Sequence, residues 1–222
     1  MSVHLYDHKF SYVSVPKCAC SSLKHFFFEV ENGFKFQNYK ANGRSFTIHG
    51  TIYKTPKFGP AVQAAIEGHD VVTVIRDPIQ RFLSCFSDRV VARRELSQDR
   101  LRHEGAPDDL PGDPDLEGLV ARLSDYRKFS TSFRLHSHTL SFFLGTDPGI
   151  YSRIYLVARL DEFHRDMRAR FGNVPELPMR NPSQSKVDAR DLPTKVLNKL
   201  KRVYEQDYDL FGNVIRAEAH PA

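Results

Sequence analysis

The chain has 222 residues, of which 41% are hydrophobic and 12% aromatic, and its formal net charge is +5. A globular chain of this length buries roughly 70% of its unfolded surface, so we expect a sizeable core and exclude a disordered chain. No apolar run approaches the roughly 18 residues that span a bilayer, and MSVHLYDHKF lacks an apolar signal-peptide core. We therefore expect a cytoplasmic protein, which its three cysteines, too few for a disulfide framework, also favour.

The charge is unevenly spread along the chain. Residues 104–118, EGAPDDLPGDPDLEG, hold six acidic side chains and neither Lys nor Arg. The chain outside this stretch is correspondingly more basic, which suits an anionic ligand. Solvated charge on the surface explains the excess of basic residues equally well. The prolines and glycines of this stretch predict a mobile acidic loop over 97–118 within one domain of residues 1–222.

Hydrophobic patterning predicts an alternation of strands and helices. In chain order we expect a strand over 10–15, a helix from about 21, a short helix over 61–68, a strand over 71–75 and a helix after Asp77-Pro78. Helical residues over 119–144, a strand over 153–158, a helix over 161–171, a loop over 172–190 and a helix over 193–206 follow. This order predicts the α/β class, with a central parallel sheet flanked by helices and the ligand site at the carboxyl edge of the sheet.

The first strand-to-helix junction, YVSVPKCACSSLK (12–24), has the composition of an anion site. Backbone N–H groups and the helix dipole attract anions at the start of a helix. Lys17 would add a positive charge, while Ser21 and Ser22 would add hydroxyl donors. The Walker pattern with its glycines is absent, so the junction fits a phosphate cradle and an ordinary helix start with a surface lysine equally well.

The second junction, VVTVIRDPIQRFLSCF (71–86), places Arg76 after a buried strand, where the ligand edge of the sheet should lie. Arg81 and Ser84 are three residues apart on the next helix and therefore share a face. An arginine beside such donors can bind a phosphate through two hydrogen bonds. Taken alone, Arg76 is more simply explained by an ion pair with Asp77.

Together, the two junctions resemble the nucleotide motifs of sulfotransferases that use 3′-phosphoadenosine 5′-phosphosulfate (PAPS). PKCACSSLK resembles the 5′-phosphosulfate motif of membrane-bound, Golgi-type carbohydrate sulfotransferases and their bacterial relatives. RDPIQRFLSCF matches every named position of the 3′-phosphate motif R-[DH]-P-x-x-R-[FL]-x-S-x-[FY]. YEQDYDLFG resembles the tail of the same group, so the resemblance covers about residues 10–212.

The resemblance implies a P-loop-like fold related to nucleotide kinases, with PAPS as donor, PAP as product and no required metal. It implies that Lys17 contacts the 5′-phosphosulfate and acts in catalysis, and that Arg76 and Ser84 bind the 3′-phosphate. The predicted nucleotide-binding residues are Lys17, Cys18, Ala19, Cys20, Ser21, Ser22, Arg76, Arg81, Ser84 and Arg180.

The catalytic base is sought among ten histidines, because histidine is best suited to accept a proton near neutral pH. We predict His49, since uronosyl 2-O-sulfotransferases carry a His-Gly-His there and one of those histidines is their base. This chain reads His49-Gly50-Thr51, so the assignment fails if the base is the second histidine. The other candidates are His136, His138, Glu29 and Glu31; His136 is more simply a satisfied buried histidine.

Two further features lie beside these motifs. Arg180, in LPMRNPSQSK, matches a late loop of the family and would contact a phosphate or an anionic acceptor, unless it is only a surface charge. Cys18 and Cys20, with a distant Cys85, have poor spacing for zinc, and tight packing of small turn residues explains them more simply.

We therefore predict an enzyme, a PAPS-dependent sulfotransferase that moves a sulfuryl group to a hydroxyl of a carbohydrate or glycolipid by in-line displacement. Its expected partners are PAPS and the acceptor, with no nucleic acid. Two alternatives stay open. An ATP-dependent, kinase-like phosphotransferase is opposed by the missing Walker glycines and Mg²⁺ pattern. A non-catalytic binder of anionic glycans would keep a decayed nucleotide site.

Overall fold

The computed structural model describes residues 2–177 and 188–216 of the chain. These residues fall into two compact units. We call residues 2–76, 140–177 and 210–216 the sheet unit, and residues 77–139 and 188–209 the helical unit. The expectation of one domain over 1–222 stays a prediction.

The strands are β1 (Val3–Leu5), β2 (Phe10–Val13), β3 (Tyr39–Ala41), β4 (Arg44–Phe46), β5 (Asp70–Ile75) and β6 (Arg153–Leu156). Within the described residues, the main sheet has the order β1-β2-β5-β6, and β3 and β4 form a separate hairpin. β2, β5 and β6 run parallel, with Val13 opposite Thr73 and Thr73 opposite Ile154. The predicted α/β class with a mostly parallel central sheet is therefore confirmed, and β1 adds an antiparallel edge.

The α-helices are listed here in chain order. They are α1 (Cys20–Asn32), α2 (Pro60–Ile66), α3 (Pro78–Cys85), α4 (Gln98–His103), α5 (Leu116–Ala121), α6 (Leu123–Phe129), α7 (Thr131–Ser137), α8 (Leu140–Leu144), α9 (Leu160–Phe171), α10 (Thr194–Val203) and α11 (Glu205–Arg216). Residues Ile48–Ile52 and Phe86–Ala92 form turns of π-helix.

The core of the sheet unit lies between the main sheet and the helices α1 and α9. Tyr12 of β2 stacks on Phe27 of α1, and Phe163 of α9 packs edge-on against the same phenylalanine. Burial of large aromatic side chains provides most of the hydrophobic stabilisation in such a layer. This packing holds α1, and with it the β2–α1 turn, at a fixed position on the sheet.

A second cluster of buried apolar side chains forms the core of the helical unit. Phe82 and Leu83 of α3, Phe133 of α7 and Leu200 of α10 are fully buried there. Asp77 caps α3, because its carboxylate accepts hydrogen bonds from the backbone N–H groups of residues 79 and 80. The predicted start of α3 at Asp77-Pro78 is confirmed.

Three sequence predictions of local structure need correction. The helical stretch over 119–144 is broken into four short helices, α5 to α8, and the helix predicted over 193–206 is divided between α10 and the start of α11. The 97–118 segment carries α4 and the buried side chains of Leu101 and Leu110, so it is not wholly loop. Its mobility stays a prediction.

Candidate functional site

The β2–α1 turn, residues 14–19, has an unusual backbone. Lys17 has a φ of 67° and Ala19 a φ of 55°, the left-handed region that glycine usually occupies. The N–H of Cys18 closes the turn by donating to the carbonyl of Val15 at 3.3 Å. Left-handed residues next to a helix start turn successive backbone N–H groups toward one concave side, as in anion-binding nests.

The start of α1 lacks the usual cap. Ala19 occupies the N-cap position and has no side-chain group that can accept a hydrogen bond from the first turn. The positive end of the helix dipole is therefore directed at the β2–α1 turn, beside the partly exposed side chain of Lys17. Backbone N–H groups and the helix dipole at such a helix start can bind an anion.

His49 joins this turn from the π-helical turn Ile48–Ile52. Its Nε2 lies 2.8 Å from Oγ of Ser21, in the first turn of α1. Its Nδ1 lies 3.2 Å from Nζ of Lys24, one helical turn further along α1. The imidazole is exposed to solvent, so a substrate group can approach it. The structure thus brings the predicted base to the predicted phosphate motif.

Lys24 is fully buried, and it is not among the site residues predicted from the motifs. Its Nζ donates to Oγ1 of Thr55 at 2.7 Å, and the hydroxyls of Thr55 and Ser14 lie 3.0 Å apart. Burial lowers the pKa of Lys24 from 10.5 to about 8, with the nearby Cys20 acting in the opposite direction. A polar chain therefore leads from Ser21 through His49 and Lys24 into the protein.

A signal for Lys24 was present in the sequence. Ser21 and Lys24 are three residues apart on α1 and share a face, as Arg81 and Ser84 do on α3. Thr55 could not have been found in this way, because its approach to α1 depends on the path of the chain after His49.

Arg76 follows β5 at the carboxyl edge of the main sheet. β5 pairs in parallel with β2, and the strands stay in register through Val13 and Thr73, whose hydroxyl also donates to the Val13 carbonyl at 2.8 Å. Neighbouring strands are about 4.8 Å apart, so the chain leaves both strands at the same edge. The predicted convergence of the Lys17 and Arg76 junctions on one sheet edge agrees with this register.

The helical unit contains the rest of the second motif. Arg81 is 0% exposed, and it donates to the carbonyl of His136 at 3.2 Å and lies over the ring of Tyr204. Ser84 is also buried on α3. These contacts hold the Arg81 side chain in place, and its predicted contact with a nucleotide stays a prediction.

Two tyrosines of the tail YEQDYDLFG hold other parts of the helical unit through their hydroxyl groups. Tyr208 donates to the second carboxylate oxygen of Asp77 at 2.8 Å, and Tyr204 donates to the carbonyl of Ser137 at 2.7 Å. The Asp77 carboxylate is thus used by the α3 cap and by Tyr208. The tail stabilises the start of the helix that carries the second motif.

The remaining candidates fall elsewhere. His136 is held by the guanidinium of Arg89 at Nε2 and by the carbonyl of Ser132 at Nδ1, as expected of a structural histidine. The carboxylate of Glu31 accepts a hydrogen bond from the hydroxyl of Tyr53. Arg180 lies outside the described residues. No group of three or more His, Cys, Asp or Glu side chains in residues 2–177 and 188–216 could hold a metal ion.

An aromatic pair lies on the β3–β4 hairpin, just before His49 in sequence. The rings of Tyr39 and Phe46 are cross-strand neighbours, with centroids 4.7 Å apart and planes 1° from parallel. Tyr39 is 52% exposed. Such a flat, exposed aromatic surface can stack against the apolar face of a sugar ring.

Comparison with protein-family models matches residues 4–212 to the Sulfotransferase family. Comparison with curated proteins gives no significant match, and neither does comparison with solved structures. None of the described helices is long and apolar enough to cross a membrane. The family match covers both strand-to-helix junctions and the tail, and the chain therefore belongs to the sulfotransferase family.

Proposed function

We propose that the protein transfers the sulfuryl group of PAPS to a hydroxyl group of a carbohydrate or glycolipid and releases PAP. The observation that carries the proposal is the 2.8 Å contact between Ser21 Oγ and His49 Nε2, beside the left-handed β2–α1 turn. In a member of the sulfotransferase family, this contact joins an anion-binding turn to a group that can move a proton. The protein's three cysteines all lie among the described residues and form no disulfide bond, which supports a reducing, cytoplasmic location.

In this proposal, the 5′-phosphosulfate lies against the β2–α1 turn. Backbone N–H groups of residues 19–22, together with the Ser21 and Ser22 hydroxyls, hold its oxygens, and Lys17 supplies the charge. Arg76 binds the 3′-phosphate. The roles of Arg81, Ser84 and Arg180 in nucleotide binding rest on the motif alone.

The reaction is an in-line displacement at sulfur. The acceptor oxygen bonds to sulfur while the bond between sulfur and the bridging phosphate oxygen breaks, and the electron pair leaves with PAP. Lys17 and the helix dipole stabilise the negative charge that develops on the leaving phosphate. His49 takes the proton of the acceptor hydroxyl, and it is exposed where such a hydroxyl can reach it.

A carbohydrate acceptor is supported by the aromatic hairpin. Tyr39 and Phe46 offer a flat surface, and Phe46 precedes His49 by only three residues. Lys40 and Arg44 on the same hairpin are exposed and suit an acceptor that already carries negative charge.

Binding of PAP tests this function against both alternatives. PAP without Mg²⁺ should raise the melting temperature of the protein, whereas a kinase would require ATP with Mg²⁺ and a glycan binder would bind glycan without PAP. Transfer from radiolabelled PAPS to a panel of glycans and glycolipids should follow. Lys17→Ala and Arg76→Ala should each lower this transfer at least about 100-fold.

Two exposed residues provide matched controls. Lys35→Ala and Arg102→Ala remove the same charges at exposed positions and should leave transfer unchanged. If PAP leaves the melting temperature unaltered, or if both site variants turn over like the wild type, the proposed function is wrong.

A further inference from the structure

The contacts of Lys24 are with polar groups, although the residue is fully buried. Its Nζ donates to Thr55 Oγ1 at 2.7 Å and lies 3.2 Å from Nδ1 of His49. Burying an ammonium group costs free energy that an apolar side chain at the same position would not cost. Core packing alone therefore does not explain a lysine here.

The protonation state of Lys24 determines which nitrogen of His49 carries the ring proton. An ammonium group can only donate, so a charged Lys24 makes Nδ1 the acceptor and leaves the proton on Nε2. Nε2–H then donates to Oγ of Ser21, 2.8 Å away. In this state, Nε2 has no lone pair with which to accept a proton from a substrate hydroxyl.

A neutral Lys24 has the opposite effect. Its amine lone pair can accept Nδ1–H, and Nε2 becomes the basic nitrogen. Because burial lowers the pKa of Lys24 to about 8, the neutral amine is accessible slightly above neutral pH. Of the described residues, the titratable groups facing it are His49 from the π-helical turn and Cys20 from α1, while Thr55 contributes a neutral hydroxyl.

We propose, on the basis of the sulfotransferase function above, that Lys24 is a positioning residue that sets the tautomer of His49 and receives, through the imidazole, the proton that the acceptor hydroxyl loses. The hydroxyl proton moves to Nε2 as the oxygen bonds to sulfur, and the Nδ1 proton moves to Nζ. His49 ends neutral with its proton on Nε2, Lys24 ends as an ammonium group, and the S–O electron pair leaves with PAP. The ammonium is then held by Thr55 Oγ1.

Turnover measured against pH tests this relay. In the wild type, kcat should rise with an apparent pKa of about 8. Lys24→Arg keeps a charge that does not titrate, and Lys24→Met removes it, so both should lower kcat about 10- to 100-fold and abolish that pH dependence. The KM for PAPS should change less than about threefold in either variant, because Lys24 positions His49 and does not bind the donor. Lys54→Met is the control, because Lys54 is exposed and lies next to Thr55 in sequence. This variant should match the wild type.

A spectroscopic measurement keeps the test independent of turnover and of variants that do not fold. Long-range ¹H–¹⁵N spectra of histidine-labelled wild-type protein report the tautomer of each ring. The His49 signal should show Nε2–H near neutral pH and change to Nδ1–H as the pH rises through about 8. An unchanged His49 tautomer over this range, or a Lys24→Met variant that keeps the wild-type pH profile, overturns the relay. Failure of PAP to bind would instead overturn the sulfotransferase function and leave this measurement intact.

Discussion

The hydroxyl of Ser21 and Nε2 of His49 are 2.8 Å apart, although the residues are 28 positions apart in the chain. The contact joins the first turn of α1 to the π-helical turn Ile48–Ile52. Ser21 thereby has two tasks in the proposed mechanism, because the same hydroxyl faces the donor phosphate and orients the imidazole.

Substitution of Ser21 tests whether its hydroxyl acts in catalysis or only stabilises the start of α1. Ser21→Ala removes the oxygen that orients His49, so we expect kcat to fall about tenfold or more. Ser21→Thr keeps the hydroxyl and should retain most of the activity. Ser45→Ala, at an exposed position on β4, is the control. Equal kcat values for Ser21→Ala and the wild type would contradict a role of this contact in catalysis.

Loss of an aromatic ring from the β3–β4 hairpin should weaken binding of the acceptor and leave binding of the donor unchanged. Tyr39→Ala removes an exposed ring that stacks on Phe46, so the KM for a saccharide acceptor should rise about fivefold, equivalent to about 1 kcal/mol. The KM for PAPS should stay constant, and Tyr39→Phe should behave like the wild type. Tyr6→Ala removes another exposed ring, from the segment before β2 at the amino edge of the sheet, and serves as control. A rise in both KM values would indicate a general structural defect instead.

The sequence was sufficient for the parts of the fold that are fixed locally. The apolar run 71–75 predicts a buried parallel strand, and Asp77-Pro78 predicts the start of α3, since capping depends on residues two and three positions away. The placement of His49 near the first motif also agrees with its prediction as the base. β1 was missed because three residues are too few to show alternation.

The parts that the sequence did not predict depend on contacts distant in the chain. Nothing in PKCACSSLK reveals that Lys17 and Ala19 adopt left-handed conformations, since neither is glycine. Lys24 shares a face of α1 with Ser21, but only its distances to His49 and Thr55 give it a role. The contacts of Arg81 with the His136 carbonyl and the Tyr204 ring also join residues that are far apart in the chain, and its predicted contact with phosphate stays a prediction.

The stability of the sheet unit should depend on pH through His4. His4 is buried and shares the hydroxyl of Ser11 with His69, so burial first, and the nearby His69 second, lower its pKa from 6.5 to about 4. Between these values the unfolded chain binds more protons than the folded one. The contribution of His4 to the stability of the folded chain is therefore complete above about pH 6.5 and is lost as the pH falls through about 4.

Denaturant unfolding at several pH values measures this effect. We expect the free energy of unfolding to fall by on the order of 2 kcal/mol more in the wild type than in His4→Gln between the two pKa values. Glutamine can still bond to Ser11 but does not titrate. His103→Gln, at an exposed position on α4, should keep the wild-type slope. Parallel curves for the wild type and His4→Gln would show that His4 does not titrate between these values.

We expect that removing the hydroxyl of Tyr12, in the core beneath the β2–α1 turn, stabilises the protein. Tyr12 is fully buried, and its oxygen has no hydrogen-bond partner among residues 2–177 and 188–216. An unsatisfied buried hydroxyl is destabilising, so Tyr12→Phe should raise the free energy of unfolding by about 1 kcal/mol while the ring keeps its stacking on Phe27. Tyr151→Phe is the matched control in the same unit, because that hydroxyl donates to the Leu144 carbonyl at 2.7 Å and its removal should be destabilising by a similar amount. Chemical denaturation of the two variants should give shifts of opposite sign, and a destabilised Tyr12→Phe would show that this hydroxyl is satisfied in solution.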